Sequence, residues 1–416
     1  MQERVVVTGM GAVTPLGHTV ADSWRNVVEG VSGVGPITLI DASEYLVQIA
    51  CEVKNFNPED YISAREARRL DRYEHMAIAA AQQAMQQSGL EISEENAGRV
   101  GIVLSTAIGG LASLQDGVAT MLHQGFRRVS PFVIPMMMPN GAAGNLSIMY
   151  GARGPSYCVA TACASGTDAI GTAWMMLRAG IIDAAIVGAS ECTVCDIGLV
   201  AFDRLGALSR QNDDYSMTPA PFDKNRDGLV MAEGAAVLIL ESESHARQRG
   251  AEILAEVAGH AASADAYHIT APAEDGSGSA LAMKNAIQVA GVNPDEIDYI
   301  NAHGTATQLN DAMETKAIKL AFGDLAYKIP ISSTKSMTGH MLGATGALEA
   351  VFCIMAINNN IVPPTIHYQT PDPECDLDYI PNEAREKQVD VAVSNSFGFG
   401  GHNGVVVLRR FGNARA

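Results

Sequence analysis

Apolar residues along this chain fall into two rhythms. Short unbroken runs rich in Val, Ile, Leu and Ala occur at 4–9, 99–105, 183–189, 235–241, 253–259, 297–302, 329–333, 389–394 and 404–410, and each reads as a strand hidden on both faces. The first run is expected to end at Gly9-Met10-Gly11. Stretches at 20–29, 73–88, 277–290, 311–321 and 343–357 instead read as helices with a buried stripe. Segment 57–72 carries Arg65, Arg68, Arg69 and Arg72 at helical spacing. Residues 106–110 form a flexible turn after a strand, and 218–234 a long polar loop. Buried strands alternating with helices indicate an α/β fold, and the pattern restarts near residue 253.

One stretch departs from both rhythms. Residues 158–172 are small and place Cys163 just ahead of a helix-compatible segment, Ser165 to Thr172. A thiol there meets unpaired backbone N–H groups and the positive end of the helix dipole, which favour a thiolate. Small neighbours also let a substrate carbonyl reach the sulfur and those N–H groups together. A buried structural cysteine is the competing reading. The second half holds an echo: residues 161–169 and 337–347 are both strand-to-helix turns of small residues, with Cys163 in one and His340 in the other. Each precedes a pair of strands. Either two Gly/Ala-rich helix starts coincide, or two similar halves pack so that Cys163 and His340 meet at the seam.

Length and composition narrow the classes. A chain of 416 residues with 47% apolar and 18% charged residues builds a large core and is not disordered. The net charge of −18 argues against nucleic acid as a general partner. No run of 18 apolar residues suggests a membrane span, and the N-terminus enters a strand with no signal-peptide core, so a cytoplasmic protein is expected. Seven scattered cysteines fit reduced thiols. Cys192 and Cys195 form a lone CxxC without a second ligand pair, and the 223–228 loop lacks the ligands of a calcium loop. Met136, Met137 and Met138 suit a core or an oligomer interface. Against the acidic background, Arg65, Arg68, Arg69, Arg127 and Arg128 read either as a solvated face or as a dock for an acidic partner.

Four motifs carry the chemistry: TACASG at 161–166, NAHGTAT at 301–307, SSTKSMTGHMLGATGALE at 332–349 and NSFGFGGHN at 395–403. His303 follows a strand, Lys335 stands five residues before His340, and Glu349 nine after it. With VVVTGMGAVTPLG at the start and PFDKNRDGLV in the middle, the set resembles the β-ketoacyl-acyl-carrier-protein synthases, closest to the elongating type II class. The resemblance implies the thiolase fold, two fused αβαβα halves (1–252 with the nucleophile, 253–416 with the histidines), and a homodimer. It implies that Cys163 takes the acyl chain, that His303 and His340 promote malonyl decarboxylation, and that Lys335 and Glu349 support them. Backbone N–H groups of Cys163 and Phe399 would form the oxyanion hole, with Phe399 a gate beside the sulfur. Thr305, Thr307 and Thr270 with Gly398 and Gly400 would bind substrate, and Ile108 and Phe202 would line the acyl pocket. An acidic acyl carrier protein would dock on the five arginines, and no metal or redox cofactor would be needed.

The chemistry is reasonable from below. A thioester holds an acyl group for transfer, and neutral histidines donate N–H to a developing enolate without being acids strong enough to quench the carbanion. The chain departs from the family at Ala201, Gly206 and Ala232; a docking arginine before Ala207 is missing or replaced by Arg204. A specialised polyketide or polyene ketosynthase, acting as half of a heterodimer, is therefore the alternative. A thiolase would need a second cysteine where Phe399 stands, and an inactive chain-length partner would lack Cys163.

Overall fold

A computed structural model describes residues 3–412. Ten strands form one hydrogen-bonded sheet: β1 (Val5–Val13), β2 (Val100–Ser105), β3 (Ser156–Tyr157), β4 (Ala184–Glu191), β5 (Gly234–Ser242), β6 (Ala255–Ala264), β7 (Tyr299–Asn301), β8 (Ile331–Ser332), β9 (Val391–Gly398) and β10 (His402–Arg409). Their order is β8-β7-β9-β10-β6-β1-β5-β4-β2-β3. Outward from the middle, the first five run β1-β5-β4-β2-β3 and the last five β6-β10-β9-β7-β8, the same path taken twice. The directions match as well. In each set the first three strands are antiparallel and the outer three parallel. The antiparallel pair β1–β6 joins the two sets.

Alternation along the strands divides the interior into layers. In the first set Val103, Val187 and Leu238 face a central core, while Ile102, Ile186 and Val237 face an outer one with the helix Arg72–Ser88. In the second set Ala392, Val406 and Leu408 join the same central core, and Val393, Val405 and Val407 pack outward on the helix Ser277–Ala290. Two helices, Ser165–Arg178 and Thr345–Asn359, fill the central layer. Hidden on both faces, the strands become continuous apolar runs. The result is the αβαβα layering expected from the sequence. Window 342–359 is long and apolar enough to cross a membrane, but 83% of it is buried inside the protein as this central helix.

Packing corrects several expectations. The first strand does not stop at Gly9: it continues to Val13, because both glycines are close-packing positions. A Cβ on Gly9 would lie 2.2 Å from the Ala84 carbonyl oxygen, and one on Gly11 2.0 Å from that of Ala80, both on the helix Arg72–Ser88. Segment 57–72 is not one helix. A short helix, Ala64–Ala67, is capped by Ser63, and a new helix starts after Asp71. Arg72 leaves the arginine face to pair with buried Glu233 at 2.6 Å. The helices Leu111–Gln124 and Gly141–Tyr150 were not expected. The first buries none of its residues, so its apolar positions mark no core stripe.

The echo holds with a shifted register. Single 3-10 turns, Ala162–Ala164 and Leu342–Ala344, precede the two central helices, and Ala162 (φ 51°) and Leu342 (φ 42°) share the left-handed backbone. The equivalent of Cys163 is thus Gly343, not His340, which lies three residues earlier in a bridge to Met231.

Candidate active site

The nucleophile turn forms where two chains come too close for side chains. A Cβ on Gly398 would stand 2.9 Å from the Cys163 nitrogen and from the Thr161 oxygen, so β9 ends directly against the turn. A Cβ on Gly166 would meet the Ala347 nitrogen at 2.7 Å, which brings the two central helices together. Cys163, His303 and His340 consequently converge. His340 Nε2 lies 3.1 Å from Cys163 Sγ, and the two imidazoles sit edge to face with centroids 5.4 Å apart. Backbone N–H groups of Phe399 and of Cys163 itself act on the sulfur, each favouring its charged form by less than burial opposes it.

Burial sets the protonation states. The thiol is pushed up to about 12, chiefly by loss of solvent, with Lys335 opposing. The helix N-terminus therefore holds no standing thiolate, contrary to the sequence-based expectation. Desolvation outweighs the lowering by Lys335 and the two backbone N–H groups, and the proton leaves only when the sulfur attacks. Both histidines lie well below the ordinary imidazole value, first through burial and then through the charge of Lys335. They are neutral at pH 7. His340 Nδ1 faces the Thr345 hydroxyl at 3.0 Å. That hydroxyl can donate or accept, so either tautomer of His340 is accommodated. Nε2 can take the thiol proton or present an N–H.

Lys335 and Glu349, each 1% exposed, pair at 2.5 Å. The Glu349 carboxyl is raised by burial and pulled back by Lys335, to about 7. The hydrogen bond of Lys335 goes to Glu349; it reaches the histidines through its charge. Glu314 was not anticipated. Its buried carboxylate accepts from the backbone N–H groups of His303 (2.8 Å) and Gly304 (2.7 Å) and so fixes the His303 loop.

A cavity of about 310 Å³ opens above the three reactive residues. Phe202, Thr270, Thr305, Thr307, Gly398 and Phe399 line it. Phe202 stacks on Phe399 at 6.2 Å, and Thr305 and Thr307 share a hydrogen bond of 2.9 Å. Ile108 and Gly400 are not in its wall. Ile108 lies on the turn that Glu191 ties to Gly343, accepting from Ala107 N–H (2.7 Å) and Gly343 N–H (3.1 Å). Gly400 donates instead to the Ile269 carbonyl at 2.7 Å. Asp265, missed in the sequence, lines the cavity and accepts from Asn403 at 2.6 Å. Its signal was a lone acid where a strand's small residues end.

Residues 2–246 match the family profile "Beta-ketoacyl synthase, N-terminal domain", and residues 254–369 match "Beta-ketoacyl synthase, C-terminal domain". The chain belongs to the β-ketoacyl synthase family. It is 48% identical over 410 residues to a 3-oxoacyl-[acyl-carrier-protein] synthase 2 of Synechocystis sp., covering 99% of both chains. The synthase of the same name from Staphylococcus aureus is 47% identical over 409 residues, covering 98% of this chain and 99% of that one. Among solved structures it is similar to a type II polyketide ketosynthase in complex with its acyl-carrier protein (37% identity, TM-score 0.91, 99% of this chain and 100% of that one). A β-ketoacyl synthase from Burkholderia phymatum is also similar (36% identity, TM-score 0.90, covering 98% and 99%).

A sulfur and two imidazoles thus share the cavity wall. Among the described residues, Cys163, His303 and His340 are the one group of three or more with metal-ligand spacing, their ligand atoms within 4.8 Å of one another. Cys192 and Cys195 join no such group, and Cys192 donates to Glu233. Around the departing positions Ala201 and Gly206, the chain reaches the cavity through Phe202, Leu205, Gly206 and Ala207, beside exposed Arg204.

Proposed function

We propose that this protein elongates fatty-acyl chains by decarboxylative Claisen condensation. The Cys163 sulfur attacks a carrier-bound acyl thioester, its proton passes to His340 Nε2 and on to the departing carrier sulfur, and the carrier leaves as a thiol with the histidine neutral again. Malonyl carrier then loses CO2, and the resulting carbanion attacks the Cys163 thioester. The product is β-ketoacyl carrier, and the cysteine sulfur leaves and is reprotonated. The N–H groups of Cys163 and Phe399 receive the oxyanion of each tetrahedral intermediate, and the histidine N–H groups receive the enolate charge. The carrying observation is the 3.1 Å approach of His340 Nε2 to Cys163 Sγ beside two backbone N–H groups at the floor of the cavity. The reaction takes no cofactor beyond the carrier's phosphopantetheine.

The 47–48% identity to proteins named 3-oxoacyl-[acyl-carrier-protein] synthase 2, against 37% to a polyketide ketosynthase, favours elongation over a specialised pathway. Intact-mass spectrometry with a panel of acyl-carrier thioesters tests this. Acylation by medium and long saturated chains, then extension by two carbons on adding malonyl carrier, is expected. Acylation by short or conjugated chains alone would assign the protein to specialised metabolism, and no acylation would overturn the reading of Cys163.

An acidic carrier protein supplies the substrates. Arg65, Arg68, Arg69, Arg127 and Arg128 are all exposed, and Arg69 lies 4.9 Å over Phe132, so the two arginine segments adjoin. Arg204 at the cavity edge takes the place of the missing docking arginine. Changing Arg68 and Arg69 together to Glu is expected to weaken carrier binding about tenfold at low salt, with a smaller difference at high salt. Equal titration curves for variant and parent at low salt would remove the patch from the docking surface.

The working unit is a homodimer. β3 is an edge strand with both residues exposed, and the segment between β2 and β3 carries exposed Leu122 (70%), Phe126 (76%) and Ile148 (83%). An unpaired edge and so much apolar surface call for a second copy. Light scattering should return twice the 43.8 kDa of the chain; a single-chain mass would exclude the dimer. We divide the chain at 252/253, between β5 and β6, into the nucleophile half and the histidine half. The seven free thiols fit the reducing cytoplasm.

A further inference from the structure

Ala162 holds φ at 51° just before the nucleophile, a conformation alanine avoids, so its surroundings must impose it. Ser165 Oγ accepts the Thr161 N–H at 2.9 Å and donates to the Ala162 carbonyl at 2.6 Å. The Thr161 hydroxyl then donates to Asp168 Oδ2 at 2.6 Å. The other oxygen, Asp168 Oδ1, faces His260 Nε2 at 3.0 Å. A chain of polar contacts thus runs from the nucleophile turn through Asp168 to a histidine outside the reactive set.

The slot for this pair is built by two glycines. A Cβ on Gly171 would fall 2.2 Å from His260 Nδ1, so the ring lies flat on the helix Ser165–Arg178 where only glycine admits it. A Cβ on Gly404 would fall 2.9 Å from Asp168 Oδ1. The two partners belong to different halves of the protein. Thr161 and Asp168 lie with Cys163, whereas His260 lies on β6, whose neighbour β10 begins just after Phe399. The contact therefore holds the nucleophile turn against the half that carries the histidines and the Phe399 N–H.

We propose that His260 and Asp168 are positioning residues for Cys163, fixing its turn through the Thr161 hydroxyl so that sulfur and oxyanion donors line up for acyl transfer. The proposal rests on the condensing function above. His303 and His340 approach malonyl carrier from their own half, so the pair acts on the acylation half-reaction and not on decarboxylation.

The test uses the full-length protein. His260→Phe keeps the ring on Gly171 and removes the donor. It is expected to slow both iodoacetamide alkylation of Cys163 and its acylation about tenfold, while malonyl-carrier decarboxylation stays within roughly twofold of the parent. His260→Gln, which restores an N–H donor, should recover most of the rate. Thr161→Val should show the same defect, and adding His260→Phe to it should cost nothing more. Unchanged alkylation in His260→Phe would overturn the proposal, as would equal loss in both half-reactions together with a lowered melting temperature, or additive effects in the double variant. Alkylation needs no substrate. A slowed alkylation with no acylation by any carrier thioester would leave the positioning role standing and overturn the condensing function instead.

Discussion

Cys163→Ala should lose condensation by at least about 10³-fold and leave no acyl-enzyme in the mass spectrum, because among the described residues no other thiol lines the cavity. Malonyl-carrier decarboxylation should persist, since the histidines and Lys335 are untouched. The fold should also persist: removing one sulfur from a partly open position costs no more than about 1 kcal/mol. The parent protein allows a companion measurement. With the thiol pushed up to about 12, the resting enzyme holds almost no thiolate at neutral pH. Its alkylation rate should therefore climb about tenfold per pH unit from roughly pH 6 to pH 9 without levelling off. A plateau with a midpoint near neutrality would show a standing thiolate and discard the desolvation argument. Substantial condensation by Cys163→Ala would discard the mechanism.

Lys335→Ala should have the second largest effect, on two readouts. Removing one partner of a fully buried ion pair typically costs about 3–5 kcal/mol, because the other charge is left uncompensated. A large drop in melting temperature is expected. The second readout is the pH profile. Lys335 holds both histidines down, adding to their burial. Without its charge their pKa values move up, toward the ordinary imidazole value. Burial still holds them under that value, and below their new, higher pKa they become imidazolium, able to protonate the carbanion, so condensation should fall at a less acidic pH than in the parent. The parent has neutral histidines across the same range and should show no such limb from them. Glu349→Gln breaks the same buried pair and should also lose stability, but it keeps the lysine charge at acid pH and should show no new acid limb. If the Lys335→Ala profile superimposed on the parent's, the electrostatic role assigned to this lysine would be wrong.

Much of the architecture could be read directly. Strands buried on both faces must be apolar throughout, so their runs are visible, and nine of the ten sheet strands lie where such runs fall. The tenth, β3, is two exposed residues at an edge and leaves no pattern. The helix Leu111–Gln124 escaped for a related reason: none of its residues is buried within the chain, so no contrast of faces marks it. Glycines misled in one place. At Gly9 and Gly11 they serve helix contact, and a sequence does not say whether a glycine is there for a turn or for a neighbour.

The site divides in the same way. Cys163, His303 and His340 stood out because reactive side chains among small residues are conspicuous. Glu314 did not, since an acid on a helix looks solvated until the loop that it holds folds over it. Arg72 looked like a member of an exposed cluster until Glu233, 161 residues away, claimed it.

By itself, then, the sequence determined the alternation of buried strands and helices and the candidate reacting groups, because periodicity and residue chemistry are local properties; the doubling it left open until the family resemblance implied it. The tertiary structure alone decided that the thiol is protonated and the histidines neutral, that Gly343 rather than His340 matches Cys163, that Ile108 stands outside the cavity and that His260 reaches Asp168 across the two halves. Those outcomes depend on desolvation and on contacts between residues far apart in the chain, which are settled only when the layers pack.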